Sequence, residues 1–291
     1  MHVSGDTVYL GGVFSQLGNP TADTKRLSLG AVDRLSGAVT GWNPSTDGEV
    51  RALVEDGGVI YFAGSFSAAG ALPRKSLAAA DTTGLMQSWN PVSNGSVAAL
   101  LMESGVIYAG GSFSAAGRGT VDTGRLNLAA FDSVGELLAW NPGADGKVAS
   151  LTSLNGDIYV GGAFLNAGNG MADTPRAYLA AFDSAGNLLD WNPETNAAVT
   201  SLSADTAIYA AGEFTEVGAA LARQGVAAFD AAGLVLDWNP GAVTGVRSVL
   251  AANGLIAVAG AFDRVGSAED ASDDPRAGLA VFDDAGALLP R

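Results

Sequence analysis

The chain contains no cysteine and a single histidine, His2. No disulfide framework, thiolate metal site, cysteine nucleophile, histidine zinc site or Ser-His-Asp triad can be assembled from it. Charged residues make up only 15% of the sequence, and lysine is confined to Lys25, Lys75 and Lys147. Nowhere does an apolar run reach the roughly eighteen residues of a membrane span, so no membrane insertion is expected. The opening residues Met1 to Asp6 lack the basic start and apolar stretch of a signal peptide. What is plentiful is glycine, forty of 291 residues, alongside 48% hydrophobic side chains, the composition of a turn-rich folded chain and not of a disordered one. Thirty acids against fifteen bases give a formal charge of −15, which repels phosphate backbones and excludes nucleic acid as a partner.

Self-similarity is the dominant signal. Phe14, Phe66, Phe113, Phe164, Phe214 and Phe262 are each followed four residues later by glycine, at successive spacings of 52, 47, 51, 50 and 48. All five tryptophans, Trp42, Trp89, Trp140, Trp191 and Trp238, open a Trp-Asn-Pro triplet, spaced 47, 51, 51 and 47. Two independent markers therefore share a period near fifty. An arginine recurs (Arg26, Arg74, Arg125, Arg176, Arg223, Arg276), as does an aspartate a few residues later (Asp33, Asp81, Asp132, Asp183, Asp230, Asp283). The chain reads as one domain of six repeats, approximately 1–44, 45–91, 92–142, 143–193, 194–240 and 241–291.

The third repeat shows the expected elements. Ser96 to Met102 predicts a strand A, and Val106 to Ala109 a strand B closed by Gly110-Gly111 as turn or bulge glycines. After a loop, Leu126 to Phe131 predicts strand C, Asp132-Ser133-Val134-Gly135 a hairpin turn, and Glu136 to Trp140 strand D, stopped by Pro142. Consecutive apolar residues in strand B suit a strand covered on both faces. Four antiparallel strands per fifty-residue period predict an all-β, six-bladed β-propeller. Arg291 falls where a sixth Trp would stand, which fits either a closed ring whose termini meet or a slice of a longer array.

The order Ile-Tyr-x-Gly-Gly-x-Phe, Arg-x-x-Leu-Ala-Ala-Phe-Asp-x-x-Gly and Leu-x-x-Trp-Asn-Pro resembles the delta-60 repeat family of bacterial β-propellers. Residues 158–193 carry it best, from Ile158-Tyr159 through Arg176 and Phe182-Asp183 to Trp191-Asn192-Pro193. The Gly-Gly pair is also kelch-like, and the Asp-x-x-Gly turn before Trp is similar to quinoprotein repeats. The resemblance implies an extracellular or cell-surface bacterial protein with no common reaction.

A residue present in every repeat solves a problem every blade has, whereas a ligand site needs the symmetry broken. The Trp set is thus expected to pack on the outer strand or between blades and not to form sugar platforms. The six Arg are expected to make hydrogen bonds or ion pairs, with the recurrent Asp as one possible partner. Symmetry breaks between Phe and Arg, where the separation runs 12, 8, 12, 12, 9 and 14 residues. Oxygen-bearing residues there, Asp23, Asp122, Asp173, Asp273 and Asp274, and those following Trp-Asn-Pro, Asp47, Asp145 and Glu194, are candidate calcium ligands, though none matches a spaced calcium-loop pattern. No other cofactor and no catalytic residue is predicted. The leading expectation is a non-enzymatic module presenting one loop-bearing face to a protein or glycan. The alternatives are a calcium-assisted hydrolase or lactonase and a purely structural, self-assembling repeat.

Overall fold

The computed structural model describes residues 1–18, 24–121, 123–241, 245–265 and 274–290. Among these, every regular element is a strand, and no helix long and apolar enough to cross a membrane occurs. The chain divides into two compact units, Met1–Asn141 and Pro142–Arg291, each holding three of the repeats.

Beside smaller ribbons and a short sheet of Pro91–Ser93, Ala115–Arg118 and Thr123–Gly124, the first unit holds three larger antiparallel sheets, one for each of its repeats. They are built from His2–Ser4, Thr7–Gly11 and Leu29–Asp33, then Glu49–Asp56, Val59–Ser65 and Leu77–Asp81, then Ser96–Glu103, Val106–Ser112 and Leu128–Phe131. The second unit repeats the plan with Lys147–Leu154, Asp157–Ala163 and Leu179–Phe182, with Val199–Ala204, Ile208–Gly212 and Val226–Phe229, and with Val246–Ala252, Leu255–Gly260 and Leu279–Asp283. Burial is concentrated in the middle and third strands. Ile60 to Ala63 are all buried, because neighbouring sheets cover both faces. The third strands, such as Leu77-Ala78-Ala79-Ala80, are rich in alanine, which lets the next sheet approach closely.

Two expectations need correction. Gly110-Gly111 do not close the second strand but lie inside it. The second glycine of the pair faces a bulge in the first strand, between Val97 and Ala99, and a Cβ on Gly111 would run into the carbonyl of Ser96. Gly64, Gly162, Gly212 and Gly260 meet the same obstacle opposite the bulges at Val50/Ala52, Val148/Ser150, Val199/Ser201 and Val246/Ser248.

The fourth strand is likewise shorter than predicted. Each sheet ends in one bridge, such as Phe131↔Leu137 or Phe182↔Leu188, flanked by a backbone bond such as Leu138 N–H to the Ala130 carbonyl. The ladder goes no further because an arginine, not a strand, takes the next carbonyl. The stretch predicted as a loop between second and third strands is partly ordered into short ribbons, such as Ala68–Ala69 with Leu72–Pro73 and Asn166–Ala167 with Thr174–Pro175.

Candidate functional site

The recurring side chains are placed inside the fold. Each Trp is buried against the Tyr of its own repeat, edge to face, with Tyr61–Trp89, Tyr108–Trp140 and Tyr159–Trp191 centroids at 5.0, 4.9 and 4.9 Å. Indoles also donate to the backbone of the next repeat. Trp42, Trp89, Trp191 and Trp238 Nε1 reach the carbonyls of Asp81, Asp132, Asp230 and Asp283 at 2.9, 3.0, 3.0 and 3.2 Å. No face of these rings is left as a stacking platform.

The arginines act locally. Nη1 of Arg125 donates to the Gly124 carbonyl at 2.9 Å, and Nη2 to the Leu138 carbonyl at 2.8 Å. The second carbonyl is the one at which the fourth strand stops pairing. Arg26, Arg74, Arg176, Arg223 and Arg276 reach Thr40, Gln87, Leu189, Leu236 and Leu289 in the same way. Backbone carbonyls, and not the recurrent aspartates, are the acceptors in these bonds.

The aspartates organise their own turns. Asp81 Oδ1 accepts from Thr83 N, Thr83 Oγ1 and Leu85 N at 2.9, 2.6 and 3.1 Å. Asp183 accepts from Ala185 N and Asn187 N at 2.9 and 2.8 Å. The side-chain bonds from Ser36, Thr83 and Asn187, joined by backbone N–H groups, hold the Asp33, Asp81 and Asp183 carboxyls below the ordinary carboxylate range.

The candidate calcium ligands fall into separate places. Asp47 Oδ1 accepts from Ser67 N and Ala68 N at 2.8 and 2.9 Å, and Oδ2 accepts from Ser67 Oγ at 2.5 Å. Asp145 makes the same clamp on Leu165 N, Asn166 N and Asn166 Nδ2. Slight burial works against both charges, and these bonds outweigh it, so both carboxyls stay lower than usual. Asn94 and Asn196 occupy the equivalent position and grip Ser114–Ala115 and Thr215–Glu216 alike. The position is legible in hindsight as an Asp or Asn five residues after Trp.

Glu194 stands three residues after Trp, at a left-handed φ of 53° shared in kind by Ser45 and Gly143, and it accepts from Asn192 Nδ2. It is therefore not an equivalent of Asp47 and Asp145. Asp173 is exposed and takes bonds from Asn169 Nδ2 and Thr174 Oγ1. Asp23, Asp122 and Asp273 lie outside the described residues, as does the side chain of Asp274. Among the described residues no group of three or more histidines and carboxylates is placed to hold a metal ion.

Where the repeats differ, a cleft opens. Within the first unit, a cavity of about 710 Å³ separates the second and third repeats, lined by Asp47, Ser65, Ser67, Lys75, Ser76 and Ser93 with Asn94, Ser96, Phe66 and Val121. Its floor is largely satisfied, since Ser76 Oγ and Ser93 Oγ both donate to the Gly95 carbonyl at 2.9 and 2.7 Å. Lys75 is exposed on its wall. Lys75 lies one residue beyond the Phe66-to-Arg74 segment in which oxygen ligands are expected, and its rarity, as one of only three lysines in the chain, is the sequence signal that marks it.

No family model matches the chain, and no curated protein does. Among solved structures, the chain is similar to the computationally designed Ika8 protein, with a TM-score of 0.56 and 11% identity over 97% of this chain and 86% of that one. It is also similar to the WD40 β-propeller domain of Doa1, with a TM-score of 0.52 and 10% identity over 84% of this chain and 83% of that one. At such identities the likeness concerns fold alone, and it identifies an all-β, propeller-like architecture.

Proposed function

We propose that the chain is a six-bladed β-propeller of the delta-60 type, closed into a ring, that serves a bacterial surface or secreted protein as a non-enzymatic binding module. It presents the face bearing the loops between second and third strands to a glycan or protein. The observation that carries this reading is the cleft between Asp47 and Lys75. The recurrent arginine guanidinium tips and the Asp or Asn clamps are bonded to backbone within their own repeats, while residues that differ between repeats, Ser65, Lys75, Ser76 and Ser96, help line an open, hydroxyl-rich space. A rigid frame with variable connecting segments is the usual arrangement of binding scaffolds. Exposed apolar side chains on the same segments, Leu72 in the first unit and Leu165, Met171 and Leu221 in the second, add contact surface suited to a partner.

The test is a parallel glycan-array and surface-display screen of the intact chain and of a variant with the ribbon tips at 70–72 and 118–121 shortened. Binding that disappears in the variant supports the reading; binding indifferent to the shortening sinks it. Closure is measured separately by small-angle scattering. A compact chain of this length has a radius of gyration of about 19 Å, and a clearly larger value points to an open array.

A further inference from the structure

The equivalent junctions between other repeats show what is special about the cleft. Ser65, Lys75 and Ser96 of the cleft correspond to Val13, Leu27 and Glu49 at the junction of the first and second repeats. At the junction of the fourth and fifth they correspond to Ala163, Ala177 and Ala198. Ser76 corresponds to Tyr178, and both take a left-handed backbone, with φ of 66° and 67°. A phenol ring stands there where the cleft has only a hydroxymethyl group. The cleft between the second and third repeats is therefore open, hydroxylated and cationic at one point, a combination absent at these two junctions.

Its charges are unequal in availability. The Asp47 carboxylate already accepts three hydrogen bonds, from Ser67 N, Ser67 Oγ and Ala68 N. Lys75 has no ion pair or hydrogen bond among the described residues, and neither do the hydroxyls of Ser65 and Ser96. Ser76 and Ser93 give their hydroxyl protons to the Gly95 carbonyl, which leaves their oxygens free to accept. The lining thus offers one unpaired ammonium, two uncommitted hydroxyls and two hydroxyl acceptors.

We propose, resting on the binding reading above, that this cleft binds a short oligosaccharide carrying a single carboxylate, a uronic acid among neutral sugars. Hydroxyls that both donate and accept match a polyol, and the ammonium of Lys75 matches the carboxylate. The volume lies within the range of about 300–1,000 Å³ typical of small-ligand sites. No arginine lines the cleft to offer the two-pronged grip that favours phosphate. A chain of net charge −15 also disfavours polyanions, so one acidic sugar fits better than a polyuronate.

The probe is glucuronic acid linked to xylotriose, compared by calorimetry with xylotriose, a polyuronate, inorganic phosphate and an acidic peptide, using the full chain. The acidic tetrasaccharide is expected to bind best. Lys75→Ala is expected to weaken it about tenfold or more, and Lys75→Arg less than threefold, while the melting temperature stays unchanged because Lys75 has no partner to lose. Ser76→Tyr, which copies the fourth repeat, is expected to abolish binding with the fold retained by circular dichroism. Equal binding of xylotriose, preference for peptide or phosphate, or an unchanged affinity in Lys75→Ala overturns the proposal. If the uronate fails to bind while loop-dependent capture of another partner persists, this inference falls and the binding reading stands. If both fail, both fall.

Discussion

An aspartate and an asparagine do the same work five residues after tryptophan, because what the fold requires there is an acceptor for two backbone N–H groups, not a charge. Asp145 and Asn196 make matching pairs of bonds in the second unit. Asp145→Asn is accordingly expected to change stability by less than about 0.5 kcal/mol, and Asp145→Ala to cost about 1–2 kcal/mol, as loss of a helix cap would. Urea unfolding of the three proteins measures this, and a large loss in the asparagine variant would show that charge matters. The arginines make the opposite demand. Arg125 is buried and bridges two carbonyls, that of Gly124 just before it and that of Leu138 beyond the hairpin turn. A lysine presents a point charge instead of a planar fork, so Arg125→Lys leaves one carbonyl unpaired and is expected to cost about 1.5–3 kcal/mol. An unchanged midpoint in the same urea assay rules that account out.

At the scale of the element, the hairpin turns carry a pH dependence. Asp33, Asp81 and Asp183 have carboxyls lowered by the bonds their turns supply, and Asp47 and Asp145 are lowered by their clamps. A lowered folded value means the unfolded chain takes up protons first as pH falls. The stabilisation is complete above the unfolded carboxylate value of about 4 and is lost as pH drops through the folded values below it. Asp157, raised by burial and by the Asp183 charge, works the other way, as does relief of the overall negative charge. Five groups against one, with long-range repulsion screened at about 0.15 M salt, decide the sign. The melting temperature is expected to slip slightly as pH falls through about 6.5, where burial of His2 lets the unfolded chain protonate first, and to fall steeply below about 4. A melting temperature that rises on acidification would mean that charge relief dominates.

These turns were legible in the sequence, since Asp-x-x-Gly fixes both the acceptor and the left-handed glycine. The first three strands of each sheet were legible from their apolar runs. The fourth was overextended to Trp140 because its apolar residues were counted as paired, whereas the carbonyl of Leu138 is held by a side chain thirteen residues back. Nor did spacing reveal Lys75, whose meaning depends on Ser65 and Ser96 arriving from other strands beside it and its neighbour Ser76.

At the scale of the whole molecule, each tyrosine packs on the tryptophan of its own repeat, and within each unit that tryptophan bonds to the backbone of the next repeat, so ionising a tyrosine is a question about the fold as well as the side chain. Tyr9, Tyr61 and Tyr108 in the first unit, and Tyr159 and Tyr209 in the second, are buried, and burial raises each phenol above its ordinary value. Neighbouring carboxylates, including Glu55 beside Tyr9 and Glu103 beside Tyr108, raise them further. Here the unfolded chain releases protons first as pH rises, so the fold is unaffected below about 10 and loses stability as pH climbs towards the raised folded values. Each indole that packs on such a ring loses an edge-to-face contact of roughly 0.5–1.5 kcal/mol when its tyrosine leaves. Because repeats stabilise one another through their nearest neighbours, loss in one is passed to the next. Alkaline titration is therefore expected to show tyrosinate absorbance rising in a steep step above pH 10 that coincides with the shift in tryptophan fluorescence. A shallow rise centred near 10, with the fluorescence unchanged, would instead mean that the phenols reach solvent while the blades stay docked.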